Sequence, residues 1–179
     1  MPPDFYLNKG NHDLELLEVK AFNSEASPAF DIADFKGFAR AVLQSPSALN
    51  TNFLIFAYKM SENGYVSITK IWLKKLWEIT RVSDRWPVNV QYKNGEINKI
   101  RPAAASTWDK PPVKQKGNKF PHFANLSDFL SAFRETLMMY GETHALGSTW
   151  KKDLNASFAA HDMPQIDFPW WDSIKQNYE

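Results

Sequence analysis

The chain of 179 residues contains no cysteine. This excludes disulfide bonds and thiolate metal sites. It also agrees with a reducing cytoplasm, where we expect the protein to reside. No apolar run approaches the roughly 20 residues that a membrane-spanning helix needs, and no signal peptide pattern precedes the first predicted strand.

Histidine is also scarce, and its four positions are scattered along the chain: His12, His122, His144 and His161. No two of them have the spacing of zinc ligands on one helix face, so a zinc site is not expected. The sequence also lacks a Gly-x-Ser-x-Gly elbow, a phosphate-binding loop and a dinucleotide fingerprint. Serine hydrolases, P-loop enzymes and dinucleotide-dependent enzymes are therefore disfavoured.

Two strand-like segments near the start of the chain carry the most informative charges. Residues 4–7 and 14–22 are rich in apolar side chains, and the turn formers of residues 8–13 separate them. In an extended strand, residues two apart point the same way, so Glu18 and Lys20 share one face. Burying such charges is expensive unless they are paired or bind a cation.

A hairpin centred on Asn11 places Asp4 directly opposite Glu18. Like charges facing each other across a ladder destabilise a sheet, whereas a divalent cation between them removes the repulsion. Mg²⁺ is commonly held by one or two carboxylates plus water and phosphate oxygens. Lys20 would then orient an attacking water or stabilise a pentavalent phosphate. The alternative is that Asp4 only opens a strand and that Glu18 and Lys20 form a salt bridge at a sheet edge.

The pattern Pro3-Asp4 followed by Glu18-Val19-Lys20 resembles the PD-(D/E)xK nucleases, a superfamily that includes most type II restriction endonucleases. Residues 18–23, 27–32 and 94–102 further resemble restriction enzymes of the NgoBV/NlaIV type. The resemblance implies Mg²⁺-dependent cleavage of double-stranded DNA at GGNNCC sites in bacterial restriction-modification.

The resemblance also implies the roles of individual residues. Asp4, Glu18 and Lys20 match the catalytic positions, and Asp4, Glu18 and the Val19 carbonyl match the metal ligands. A palindromic target implies a two-fold homodimer.

The expected fold class is α/β, with a restriction-endonuclease-like mixed central sheet flanked by helices. We expect one endonuclease domain over residues 1–179, with a basic hairpin and loop region at about 81–121. The core of this superfamily normally begins with a helix and a strand before the aspartate strand, and here only three residues precede Asp4. We therefore expect this sequence to lack those elements: either the chain is shortened at its N-terminus, or the missing elements come from elsewhere.

Periodicity and turn residues predict most of the remaining elements. Asp31 caps a helix that ends near Ser45-Pro46, and Asn94-Gly95 forms the tight turn of a hairpin. The other predicted elements are a buried strand over 52–60, a turn over 61–64, a strand over 65–69, a helix over 71–80, a long loop over 102–121, a helix over 125–140 with a cap at Asn125 or Ser127, and a helix over 150–160.

Charge is distributed unevenly although the formal net charge is only +1. Residues 70–120 carry twelve Lys/Arg against four Asp/Glu, whereas residues 1–69 carry five against eight and residues 121–179 carry four against eight. A basic middle between acidic ends is typical of a phosphate-facing surface, although a solvated face gives the same pattern. The candidate DNA-binding residues are Lys93, Lys99, Arg101, Lys114, Lys116 and Lys119.

Three functions remain open at this point. The first is a Mg²⁺-dependent type II restriction endonuclease. The second is a truncated or degenerate nuclease domain that binds DNA or a partner subunit without cleaving. The third is a nuclease of the same fold with looser specificity, used in repair or defence.

Overall fold

A computed structural model of the chain describes residues 3–7, 16–114 and 119–178. Within these ranges the strands are β1 (Phe5–Tyr6), β2 (Leu16–Asn23), β3 (Ala33–Asp34), β4 (Asn52–Met60), β5 (Val66–Lys75), β6 (Val90–Lys93) and β7 (Glu96–Ile100). The helices are α1 (Phe35–Gln44), α2 (Leu76–Ile79), α3 (Leu126–Met139), α4 (His144–Ala160) and α5 (Trp171–Ile174). No helix of these ranges is both long and apolar enough to cross a membrane.

The larger sheet is mixed, with the strand order β1-β2-β4-β5. β1 and β2 are antiparallel, β2 and β4 are parallel, and β4 and β5 are antiparallel. Parallel neighbours require a crossover connection, and α1 lies within the connection between β2 and β4. The predicted mixed sheet with helices is confirmed.

The main core lies on one face of this sheet. Alternate residues of β4, namely Phe53, Ile55 and Ala57, are buried in the same apolar cluster as Phe35 and Val42 of α1. The helices α3 and α4 pack on each other and extend this cluster.

The opposite face of the sheet is apolar as well but more exposed. Leu54 pairs with Leu73 and Phe56 pairs with Ile71 across β4 and β5, and Ile71 and Leu73 remain 55% and 64% exposed. The described residues therefore bury one face of the sheet much more fully than the other.

The prediction of a helix over residues 71–80 is wrong for residues 71–75. β5 continues to Lys75, and the helix α2 spans only Leu76–Ile79. Ile71 and Trp72 favour a strand and pair with the buried strand β4. Tertiary pairing thus overrides the helical spacing in this segment.

The smaller sheet has the strand order β3-β7-β6. Its hairpin turns at Asn94 and Gly95, whose φ angles of 56° and 85° are those of a primed turn, as predicted. The short strand β3 was not predicted, and it joins the hairpin to the start of α1 through the pair Ala33 and Ile100.

The predicted cap of α1 at Asp31 is wrong. Asp34 is the cap, and its Oδ1 accepts a hydrogen bond of 2.7 Å from the Gly37 N–H. Asp31 instead forms an ion pair with Arg101, because β3 occupies the positions immediately before the helix. The predicted end of the helix at Ser45 is confirmed.

The C-terminal helices agree with the sequence in part. Of the two predicted caps of α3, Asn125 is the one observed, and its Oδ1 accepts a hydrogen bond of 2.9 Å from the Asp128 N–H. α4 begins at His144, six residues before the predicted start at Trp150. The Trp150 side chain is fully buried, and its Nε1 donates to the Ala39 carbonyl on α1 at 2.9 Å.

Candidate active site

The first two strands pair in the register that the sequence predicts. Phe5 lies opposite Leu17 and Tyr6 lies opposite Leu16, and Asp4 directly precedes these pairs. The predicted centre of this hairpin, Asn11, lies outside the described residues. The pairing brings the two candidate carboxylates to neighbouring positions on adjacent segments.

Asp4 lies immediately before β1 and is exposed. Its Oδ2 accepts a hydrogen bond of 2.7 Å from the backbone N–H of Val19. The side chain therefore takes a place that a backbone carbonyl would occupy if the ladder continued. This contact fixes the Asp4 carboxylate beside the middle of β2.

Glu18 and Lys20 form an ion pair on one face of β2, with 2.5 Å between Lys20 Nζ and Glu18 Oε1. Glu18 is only 6% exposed, and the Lys20 side chain is 16% exposed. The ammonium compensates a carboxylate that would otherwise be costly to bury. The salt bridge that the sequence left as an alternative is therefore present within the candidate site.

The donor atoms of this site fit a hard divalent cation. The amide hydrogen and carbonyl oxygen of one strand residue lie on the same edge, so the contact to Asp4 places the Val19 carbonyl on that edge too. Two carboxylates and one carbonyl are oxygen ligands of the kind that Mg²⁺ takes.

No group of three His, Asp or Glu side chains that could hold a metal occurs in the described part of the chain. A cation at this site would accordingly take its remaining ligands from water or substrate.

Glu18 lines a cavity of about 440 Å³ between the first hairpin and α1. Pro3 and Tyr6 form part of one wall, and Asp34 and Gly37 at the start of α1 form part of another. The buried carboxylate therefore faces a space large enough to admit part of a ligand.

Sequence reasoning missed Asp34 as a residue of this cavity. The sequence does contain a signal for it. Asp34 lies three residues before Gly37, which is the spacing between a helix cap and the backbone N–H that donates to the cap. Asp31 offered an equally acceptable cap three residues earlier, and only the β3 pairing decides between them.

The candidate DNA-binding residues on the hairpin differ in their surroundings. Lys99 lies 3.7 Å from Asp34, and Arg101 pairs with Asp31. Lys93 is exposed on β6 and forms no ion pair in the described ranges. The structure therefore places two of these cations beside the start of α1, and it leaves Lys93 in solvent.

The candidates of the long loop lie on a different part of the molecule. Lys119 pairs with Asp84 at 3.0 Å, and Lys114 is exposed. Both line a cleft of about 500 Å³ that Arg85 and Trp86 also line. Lys116 lies outside the described residues.

Two arginines near this cleft stack on aromatic rings. The Arg85 guanidinium lies 4.1 Å from the Tyr92 ring centre, and that of Arg81 lies 4.8 Å from Phe120. Burial lowers the pKa of Arg81, and its Nη1 donates to the Val82 carbonyl at 3.0 Å. Arg81 is thus engaged within the protein.

The chain is similar to known type II restriction enzymes. A profile of the NgoBV restriction endonuclease family matches residues 1–178. The type II restriction enzyme NlaIV of Neisseria lactamica is 42% identical over 179 residues, which cover 100% of this chain and 71% of that protein. The type II restriction enzyme NgoBV of Neisseria gonorrhoeae is 52% identical over 93 residues, which cover 52% of this chain and 53% of that protein.

A solved structure of the NlaIV restriction endonuclease superposes with a TM-score of 0.89 at 42% sequence identity. The match covers 100% of this chain and 70% of that chain. The predicted restriction-endonuclease-like fold is thereby confirmed. With this fold and a family match over nearly its whole length, the chain belongs to the NgoBV restriction endonuclease family.

Proposed function

We propose that this protein is a type II restriction endonuclease that hydrolyses phosphodiester bonds of double-stranded DNA with Mg²⁺ as cofactor. The observation that carries the proposal is the assembly of Asp4, Glu18 and Lys20 on one hairpin. Asp4 is held to β2 through the Val19 N–H, and Glu18 is held beside Lys20. Membership of the NgoBV restriction endonuclease family supports the same activity.

Asp4, Glu18 and the Val19 carbonyl would hold the metal ion. A bound Mg²⁺ polarises the phosphoryl oxygens and lowers the pKa of a bound water. Asp4 is positioned for this role by its hydrogen bond to β2, and Glu18 reaches the cavity beside α1. Lys20 positions the attacking water and places a positive charge next to the reacting phosphate.

DNA would be held by the lysines outside the hairpin of the site. Lys93 and Lys114 are exposed, and Lys119 can exchange its solvent-exposed partner Asp84 for a phosphate. Lys99 and Arg101 are further candidates for phosphate contacts once they exchange Asp34 and Asp31 for DNA, and Lys116, outside the described residues, is proposed from the sequence alone. Phosphate contacts of this kind supply affinity that depends on salt, whereas base contacts supply the specificity.

The target that the family resemblance implies is GGNNCC. A palindromic site calls for two catalytic centres related by a two-fold axis, so we propose a homodimer on DNA. One hydrophobic cluster runs through the described residues, which supports treating residues 1–179 as one endonuclease domain.

Digestion of defined DNA tests this function. A linear duplex with one GGNNCC site is incubated with the protein and Mg²⁺, next to a duplex in which one G of the site is replaced. We expect two fragments of fixed length from the first duplex and none from the second. A smear would contradict sequence-specific cleavage, and binding without any cleavage would contradict the endonuclease and favour a DNA-binding domain.

A further inference from the structure

Arg85 holds its guanidinium at the protein surface against two aromatic rings. The residue is exposed, and its Cζ atom lies 4.1 Å from the centre of the Tyr92 ring and 5.3 Å from that of the Trp86 ring. The two rings contact each other, with 6.0 Å between their centres. Stacking on aromatic faces orients the planar guanidinium of a long and otherwise flexible side chain.

The hydrogen-bonding groups of Arg85 are not used in an ion pair. Among the ion pairs of the part of the chain that the structure describes, none includes Arg85, and the neighbouring Asp84 pairs with Lys119 instead at 3.0 Å. Arg81, by contrast, is half-buried, and its Nη1 donates to the Val82 carbonyl at 3.0 Å. Of these two arginines, Arg85 is therefore the one that presents its donors to a ligand.

The smaller sheet connects Arg85 with the candidate active site. Tyr92 lies on β6 at one edge of this sheet, and Asp34 lies on β3 at the other edge. Asp34 lines the cavity that Glu18 also lines. Neighbouring strands are about 4.8 Å apart, so about 10 Å separates β6 from β3. A site of six base pairs extends for about 20 Å along DNA, so one bound duplex can contact both edges.

We propose that Arg85 is a specificity-determining residue that donates two hydrogen bonds to O6 and N7 of one guanine in the major groove of the target. This inference rests on the proposed function, since it names a residue that reads a base of the proposed GGNNCC site. The planar fork of arginine matches these two acceptors, and the rings of Tyr92 and Trp86 orient it before DNA binds, which reduces the entropy lost on binding. The alternative role of an exposed cation is a phosphate contact, which carries no sequence information.

Arg85→Lys separates the two roles, because lysine keeps the positive charge and loses the bidentate fork. Fluorescence anisotropy, with Ca²⁺ in place of Mg²⁺, measures binding to a GGNNCC duplex and to a duplex of scrambled sequence. We expect Arg85→Lys to bind the GGNNCC duplex about 10- to 100-fold more weakly than the wild type, which is the contribution of a bidentate base contact. Its affinity for the scrambled duplex should equal that of the wild type.

Modified DNA identifies the guanine. 7-Deazaguanine, which lacks N7, replaces each guanine of the site in turn, together with its symmetry-related guanine. At one position the wild type should lose affinity, whereas Arg85→Ala should lose nothing further there because the contact is already absent. Arg40→Lys is the matched control, since Arg40 is an exposed arginine on α1, and it should leave the affinities for both duplexes unchanged.

Three results would overturn the role of Arg85 alone. These are equal losses of Arg85→Lys on the two duplexes, which would indicate a phosphate contact, wild-type affinity of Arg85→Lys for both duplexes, and wild-type binding that 7-deazaguanine weakens at no position. The last result needs no variant protein and does not depend on how a substitution affects folding. A wild type that neither prefers the GGNNCC duplex nor cleaves it with Mg²⁺ would instead refute the proposed function.

Discussion

The ion pair of Glu18 and Lys20 stabilises the fold, and the same two side chains are proposed to take part in catalysis. A carboxylate that is 6% exposed needs a partner, and the ammonium 2.5 Å away provides it. Removing one partner leaves an uncompensated charge in a poorly hydrated place. The same two groups are the ones proposed to bind metal and to position water.

Glu18→Gln should therefore lower the free energy of unfolding by about 2 kcal/mol, less than for a fully buried pair because Lys20 reaches solvent. The double variant Glu18→Gln/Lys20→Met should recover most of that loss. Urea denaturation measures both values. Lys59→Ala, which removes a partner of the exposed Glu25, is the control and should change stability by less than about 0.5 kcal/mol. A loss in the double variant as large as in the single one would contradict the pairing argument.

His122 gives the protein a stability that depends on pH. The ring is buried, and its pKa is lowered chiefly by burial and also by Lys74, while Glu78 opposes the shift. The unfolded chain therefore takes up a proton at a higher pH than the folded chain. Stability is present above the ordinary histidine pKa of about 6.5 and is lost as pH falls towards the folded value.

We expect the free energy of unfolding to fall between about pH 7 and pH 5, and we expect a shallower fall in His122→Gln. Chemical denaturation at several pH values gives the two slopes. Equal slopes for the two proteins would exclude His122 as the group responsible.

Among the secondary elements, the Asn94-Gly95 turn shows where sequence reasoning succeeds. Gly95 has a φ of 85°, a conformation that L-residues with a side chain rarely adopt. Gly95→Ala should cost about 1 kcal/mol in unfolding free energy, although no atom lies within 4 Å of the added Cβ. Gly141→Ala is the matched control, because that Cβ also meets open space without a positive φ. A similar loss of unfolding free energy in both variants would contradict the attribution of the Gly95→Ala cost to its positive φ.

The elements that the sequence predicts correctly are those with local signals. The turn at Asn94, the helix cap at Asn125 and the apolar strand over 52–60 each carry their own determinants. The register of β1 on β2, with Phe5 opposite Leu17, was also predictable, because a hairpin fixes its register through the length of its turn.

The elements that sequence reasoning gets wrong depend on partners distant in the chain. Lys75 ends a strand because β5 follows β4 along its length, and no local signal marks that end. Asp34 caps α1 because β3 pairs with β7. The early start of α4 also involves a distant partner, because Arg134 Nε on α3 donates to the Gly147 carbonyl in the first turn of α4 at 3.4 Å.

At the scale of the whole molecule, the basic middle of the sequence does not form one free basic surface. Lys99 and Arg101 lie next to Asp34 and Asp31, and Lys70 pairs with Asp109 at 2.5 Å. These pairs join residues far apart in the chain, so a count of charges along the sequence could not reveal them. In the proposed function, binding of DNA would therefore depend on a few exposed lysines.

Lys93→Ala and Lys114→Ala should each weaken DNA binding to a similar extent for all sequences and reduce the salt slope by about 1. Lys70→Ala should leave the affinity for DNA and the salt slope unchanged, because the Lys70 ammonium is paired with Asp109. Fluorescence anisotropy at several salt concentrations, with Ca²⁺ in place of Mg²⁺, measures both quantities. A large loss of DNA affinity in Lys70→Ala alone would contradict this assignment and indicate that DNA binds along β5 instead.

The central claim is that Asp4, Glu18 and Lys20 form the catalytic site of a metal-dependent endonuclease, and single-turnover cleavage tests it most directly. The wild type, Asp4→Asn, Lys20→Ala and the surface control Lys59→Ala are each mixed in excess with a duplex containing GGNNCC, and Mg²⁺ starts the reaction. The wild type and Lys59→Ala should cleave at the same rate, whereas Asp4→Asn and Lys20→Ala should be slower by at least about 100-fold while still binding the duplex. Equal cleavage rates in all four proteins would contradict the assignment.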